Sequence, residues 1–147
     1  LATDTIYQAF MQGPEQSIEL FHGYTYSGHP VAAAAGLATL EVYEQEGSFE
    51  QSRELETMFA QAIHQFDDHP LVIDVRNFGL MGAIELAPRE GAPGARGLEA
   101  HKHCFWDEDL VIRNGMDILQ FSPFLNSKPE DIETMFDAVR RVLDSLS

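Results

Sequence analysis

With 147 residues, 44% of them apolar, the chain can bury one sizeable core, and its spread of Phe, Leu, Val and Ile argues for a globular rather than a disordered polypeptide. Nine basic against 24 acidic residues leave a formal charge of −15, which repels phosphate backbones and anionic lipid and so argues against nucleic-acid and membrane partners. Cys104 is the sole cysteine, so an internal disulfide is excluded, and no apolar run approaches the roughly 20 residues that cross a bilayer; both fit a reducing, cytoplasmic setting.

In chain order, residues 4–12 read as a short helix, with Asp4 or Thr5 as cap and Gly13-Pro14 as its stop. The opening Leu1-Ala2-Thr3-Asp4 shows no charged-then-apolar leader and falls abruptly at the approach to that helix, which suggests a fragment. A loop dense in small, polar and aromatic residues follows, from His22 to Pro30. Pro30 suits the first turn of a long helix. Val31, Ala34, Ala35, Ala38 and Val42 share one stripe of it, while Ala33, Leu37 and Leu40 are apolar on another side, so the helix is expected to be buried against other backbones.

Gly47 ends that helix, and Ser48-Phe49-Glu50-Gln51 has the pattern of a capping box opening the next. Leu55, Met58, Phe59, Ala62, Ile63 and Phe66 then recur at helical spacing. After Pro70 the period changes. Leu71 to Arg76 is β-branched, Leu80 to Leu86 alternates, and Asn77-Phe78-Gly79 is short enough to join them as an antiparallel pair. Pro88 to Gly97 reads as a loop and Leu98 to Asp107 as a helix. Two apolar runs, Leu110 to Arg113 and Met116 to Ser122, flank Asn114-Gly115, a strong hairpin-turn signal because both residues tolerate positive φ. A last helix opens at Ser127-Lys128-Pro129-Glu130 and carries Ile132, Met135, Phe136, Val139, Leu143 and Leu146 on one face. The expected fold class is α+β: a small antiparallel sheet of three or four strands with helices on one side.

Most chemistry-bearing residues have ordinary readings. His101-Lys102-His103-Cys104 is not a metal site, because adjacent helical positions do not share a face and no second ligand cluster stands at zinc spacing. Gly79 and Gly82 lack the strand and spacing of a phosphate-binding fingerprint, and Ser27 has no nucleophile elbow around it. Two places are more suggestive. The loop around Thr25 sets a hydroxyl and several amides just before a helix, where an anion can be held, although a plain helix-entry loop has the same composition. Arg113 stands at a strand end beside a turn, where a guanidinium fork can grip a carboxylate; an exposed arginine at a hairpin tip is the plainer alternative.

The segment Phe21-His22-Gly23-Tyr24-Thr25-Tyr26-Ser27-Gly28-His29-Pro30 with its alanine run resembles the class III pyridoxal-phosphate (PLP) aminotransferases of fold type I. A second match runs from Val111 through Arg113, Gly115, Asp117 and Leu119-Gln120-Phe121 to Pro123 and Asn126-Ser127-Lys128-Pro129. With Leu86-Ala87-Pro88 and Gly91-Ala92-Pro93-Gly94 it looks most like the branch that moves amino groups from ω-amino acids such as β-alanine to pyruvate.

The resemblance implies roles residue by residue. Thr25 corresponds to the threonine that binds the PLP phosphate in the neighbouring subunit's site, and Tyr24 to a residue lining that site across a dimer interface. Arg113 corresponds to the arginine that holds the substrate carboxylate and swings aside for amines lacking one. Many relatives have glycine where this chain has Met116, so a longer side chain beside the arginine is expected to narrow the pocket or alter the hairpin tip.

The resemblance also implies that residues 1–30 are the tail of a large cofactor-binding domain, including its dimer-interface loop, and that residues 31–147 are the small C-terminal domain. The Schiff-base lysine is expected upstream. Neither Lys102, in a surface helix, nor Lys128, beside a helix cap, corresponds to it, so this chain alone is expected to be inactive. Taken alone, it is also expected to expose the alanine-rich helix and the Thr25 loop. The implied whole is a homo-oligomer, dimer or tetramer. Alternatives from the sequence are a class III enzyme with a diamine or aromatic amine donor, and a non-catalytic oligomerisation or ligand-binding domain.

Overall fold

A computed structural model describes residues 3–13 and 23–146; Pro14, Phe21 and His22, on which parts of the sequence reading rest, lie outside the described residues, as do Leu1 and Ala2. The chain divides into two compact units, Leu1–Thr39 and Leu40–Ser147.

The first unit holds helix α1 (Asp4–Phe10) and the start of α2 (Pro30–Glu46). Thr3, one residue earlier than expected, caps α1, its hydroxyl accepting the Ile6 N–H at 3.5 Å, and the helix closes at Met11 before reaching Gly13. Pro30 opens α2 as expected, and the His29 ring nitrogen accepts the Ala32 N–H at 3.4 Å, satisfying one of the free donors at that end. No residue of α2 is buried within this chain. Val31, Leu37 and Leu40 are 71%, 65% and 60% exposed, so the burial expected of this apolar helix is not seen among the described residues.

In the second unit, α3 (Ser48–His64) packs beside α5 (Pro129–Ser145), and α4 (Ala95–Asp107) packs on the other side of α5. They cover one face of a four-stranded antiparallel sheet, formed by β1 (Val72–Phe78), β2 (Met81–Leu86), β3 (Arg113–Gly115) and β4 (Ile118–Phe121) in the order β1-β2-β4-β3. The α+β expectation therefore holds, down to the helices on one side.

The capping box at the start of α3 does not form. Gly47 takes the cap position at φ 62°, and Gln51 instead donates its amide to the Glu46 carbonyl at 2.6 Å. At α5 the Asp131 carboxylate, not Glu130, accepts the Lys128 N–H at 2.8 Å.

The core is built from the helical and alternating positions read in the sequence. Leu55, Phe59 and Ile63 of α3 and Ile132, Phe136 and Val139 of α5 meet Ile84, Leu86, Leu119 and Phe121 of the sheet. The Phe136 ring lies 5.4 Å from Phe59, 6.0 Å from Phe66 and 5.3 Å from Phe121, centroid to centroid, a spacing at which tilted and edge-on rings attract. Gly82 allows α3 this close: a Cβ there would lie 2.9 Å from the Phe59 ring, so the helix and strand approach without a side chain between them.

Cys104 is wholly buried on α4, and burial, aided by the negative charge of Glu108, pushes its thiol up to about 11. The thiolate that would attack a reagent is thus disfavoured in the fold. We expect thiol reagents to label it only on unfolding, which a labelling time course with and without denaturant checks. The folded thiol releases its proton at higher pH than the unfolded one near 9, so its contribution is complete below about pH 9 and is lost as pH rises towards about 11.

Candidate functional site

Arg113 opens β3, the edge strand of the sheet, and its register places it opposite Gln120. Gln120 in turn pairs with Ala83, and Ala83 with Arg76. Directly paired residues in an antiparallel sheet project to the same side. Arg113, Gln120, Ala83 and Arg76 therefore form a row about 14 Å long, three inter-strand spacings, across the face that the helices do not cover. The row floors an open cleft of about 550 Å³, also lined by Phe78 and Met81.

The two guanidiniums in this cleft are not equivalent. Arg76 is engaged by Asp74 and, at 3.1 Å, by Glu85; these hydrogen bonds, Asp74's first, raise its pKa above its ordinary value and offset its charge. Arg113 is exposed and its guanidinium makes no hydrogen bond or ion pair among the described residues, so its five donors are open to a ligand. An unpaired fork beside apolar Phe78 and Met81 suits a small molecule with a carboxylate at one end.

The hairpin that carries Arg113 turns two residues later than the sequence suggested. Asn114 and Gly115 belong to β3, Gly115 pairs with Ile118, and Met116-Asp117 makes the turn. The Asp117 side chain ties this turn to the neighbouring helix. It is buried, and its carboxylate accepts the Gly94 N–H at 2.5 Å and the Gly97 N–H at 2.9 Å, at the start of α4. Nothing in the residue pattern alone distinguished Asp117 as this anchor, since its partners lie 20 and 23 residues away. Gln120 and Arg76 were likewise missed as cleft residues, because their neighbourhood with Arg113 depends on this register.

Met116 occupies the first turn position at φ 57°, the left-handed region that two-residue hairpin loops favour and that suits glycine. Its thioether lies over Gly94, where a Cβ would be 3.4 Å from Sδ and Cε. The side chain sits at the hairpin tip and is not among the residues that line the Arg113 cleft. Replacing it should stabilise the protein. Met116→Gly relieves about 1–2 kcal/mol of left-handed strain and adds back about 0.5–1 kcal/mol of chain entropy. The net expectation is a gain of about 0.5–1 kcal/mol, read as a higher urea midpoint at unchanged slope.

The Thr25 loop belongs to the other unit. Residues 25–28 form turns in which the Ser27 N–H donates to the Tyr24 carbonyl at 3.0 Å and the His29 N–H to the Tyr26 carbonyl at 3.4 Å. The hydroxyl and N–H of Thr25 make no hydrogen bond among the described residues, and Thr25 lines, with Gly23 and Tyr26, an open depression of about 440 Å³. Tyr24 is 62% exposed. The histidines near Cys104 do not converge: the His103 ring bonds Asp107 at 2.5 Å, while Cys104 points into the core. Among the described residues no helix is long and apolar enough to cross a membrane.

Comparison with known proteins decides the family. The model of the family described as aminotransferase class-III matches residues 1–143. The chain belongs to the class III aminotransferases. It is 49% identical over 142 residues to an omega-aminotransferase of Caulobacter vibrioides, covering 97% of this chain and 32% of that protein. To a beta-alanine–pyruvate aminotransferase of Pseudomonas aeruginosa it is 43% identical over 149 residues, covering 100% of this chain and 33% of the relative. The omega transaminase of Pseudomonas jessenii solved in complex with PMP superposes with a TM-score of 0.76 at 30% identity, over 86% of this chain and 29% of that one. This class III chain thus spans about a third of the length of the relatives it matches.

Proposed function

We propose that this chain is the carboxyl-terminal portion of a PLP-dependent transaminase that moves an amino group from an ω-amino acid or amine to pyruvate. The observation that carries the reading is the unpaired Arg113 fork over a partly apolar cleft, in a chain similar along its whole length to ω-aminotransferases. Residues 1–30 belong on this reading to the large cofactor-binding domain, and residues 31–147 to the small one.

The residues around Thr25 fit the phosphate end of the cofactor. A dianionic phosphate needs donors, and the hydroxyl and N–H of Thr25, which lines a depression, are both unengaged among the described residues. On this reading Tyr24, next to Thr25 in the chain, serves the same cofactor site from across the subunit interface. When bound, PLP supplies the electron sink that lets the carbon bearing the amino group lose a proton. Arg113 binds the carboxylate of the donor, and then that of pyruvate; the reacting carbon stands one bond further from the carboxyl carbon in β-alanine than in pyruvate, so the flexible side chain has to shift the fork between the two. For an amine without a carboxylate, an arginine on a solvent-facing edge strand has room to swing aside. Lys102, on α4, and Lys128, at the cap of α5, are not among the residues lining this cleft, which supports a cofactor-holding lysine elsewhere in the enzyme. The working assembly is a homo-oligomer in which the Thr25 loop serves a neighbouring subunit.

The test is donor profiling of the complete enzyme with PLP and pyruvate. Alanine should form with β-alanine and with longer ω-amino acids. No alanine from any donor, or turnover confined to a keto acid other than pyruvate, would overturn the reading.

A further inference from the structure

We propose that Asp117 is a positioning residue for Arg113, its carboxylate locking the β3–β4 turn onto the start of α4 and so fixing the strand from which the guanidinium reaches. The proposal rests on Arg113 being the carboxylate-binding group. β3 is three residues long, lies at the sheet edge and, among the described residues, pairs only with β4. So short a hairpin has little to hold it in one register.

Its additional restraint is at the turn. The buried Asp117 takes N–H bonds from Gly94 and Gly97 at 2.5 and 2.9 Å, and its own carbonyl accepts the Leu86 N–H at 2.9 Å. Met116 is held at φ 57°, a conformation that a residue with a side chain keeps only when its surroundings impose it. The turn is therefore constrained from outside.

The same strand contains a competing turn. Asn114-Gly115 is the preferred two-residue loop, and a hairpin that turned there would set Arg113 opposite Met116. In the observed register Arg113 stands opposite Gln120, four positions further along β4. Such a slip keeps Arg113 on the same face, because four is even, but takes it out of the row with Gln120, Ala83 and Arg76. The Asp117 clamp selects the register that puts the fork in the cleft.

In the complete enzyme, Asp117→Asn keeps the size of the side chain and removes its charge. We expect the KM for β-alanine to rise about tenfold with kcat within about twofold, and the KM for an amine lacking a carboxylate to stay unchanged. Hydrogen exchange at residues 113–115 should quicken by about tenfold or more, while α5 is unaffected. Adding Asn114→Thr, whose branched side chain disfavours the competing turn, should restore the KM for β-alanine. If Asp117→Asn does not fold, Asp117→Glu, which keeps the charge and shifts it by one methylene, is measured in the same way. An equal loss for both donors, or unchanged exchange at residues 113–115, overturns the clamp. The two readings fail separately: Arg113→Met without a difference between donors overturns the carboxylate site itself, whereas a difference for Arg113 but none for Asp117 overturns only the positioning role.

Discussion

Arg113→Met is expected to raise the KM of the complete enzyme for β-alanine about 100-fold, and to leave that for an amine without a carboxylate within about threefold. The estimate starts from a charge-assisted bidentate pair, with each hydrogen bond to a charged group contributing about 1.5–3 kcal/mol. The cleft is open, so water competes and the net loss falls to about 2–3 kcal/mol, which is about 30- to 150-fold. The nearby Arg76 does not take over, because Asp74 and Glu85 already hold its guanidinium. Pyruvate also carries a carboxylate, so its KM should rise alongside that of β-alanine. Arg113→Lys should fall between wild type and Arg113→Met, since it keeps the charge but loses the planar fork. Steady-state kinetics with both donors check these outcomes. A uniform fall in kcat with no change in either KM would count against a carboxylate grip.

Gly97→Ala is expected to cost about 3 kcal/mol or more, the largest stability loss anticipated for so small a change. Gly97 lies in the first turn of α4, under the β3–β4 turn. A Cβ at this position would collide with the Met116 carbonyl oxygen and come within 2.7 Å of the Asp117 Cα. Both obstacles are backbone, so no rotamer change relieves them, and the helix or the turn must move. Overpacking of a core ordinarily costs about 1–3 kcal/mol, and a backbone collision belongs at or above the top of that range. Movement would also lengthen the Gly94 and Gly97 bonds to Asp117. The prediction is a much lower denaturation midpoint together with a raised KM for β-alanine in whatever enzyme stays folded. Denaturant melts of the two proteins side by side check it. A midpoint within experimental scatter of wild type would mean that α4 and the hairpin are less tightly apposed than their geometry implies.

Much of the second unit was legible in the residue pattern. Period-3.6 apolar spacing marked α3 and α5 together with the residues they bury, such as Phe59, Ile63, Ile132 and Phe136. Alternation marked β2, and the local punctuation of Pro30 and Gly47 bounded α2 correctly. These signals succeed because they depend on neighbours three or four residues away, or two. The capping box at Ser48 failed for a related reason: Gln51 had a second acceptor, the Glu46 carbonyl, at the end of the preceding helix.

The residue types of the candidate site were also apparent from the sequence. Arg113 and the Thr25 loop stood out by their chemistry and by resemblance to class III aminotransferases, the family to which the chain belongs. The sequence by itself determined the family, the α+β class, the helical core faces and the presence of one arginine at a strand near a turn. Tertiary structure alone decided the register of that strand, the open state of Arg113 beside a neutralised Arg76, and the left-handed Met116. The reason is one of range. A turn preference is a local energy of about 1 kcal/mol or less, whereas a buried carboxylate satisfied by two amides 20 and 23 positions back loses more than that if it lets go. Asp117 therefore sets the turn, and the turn sets where the guanidinium stands.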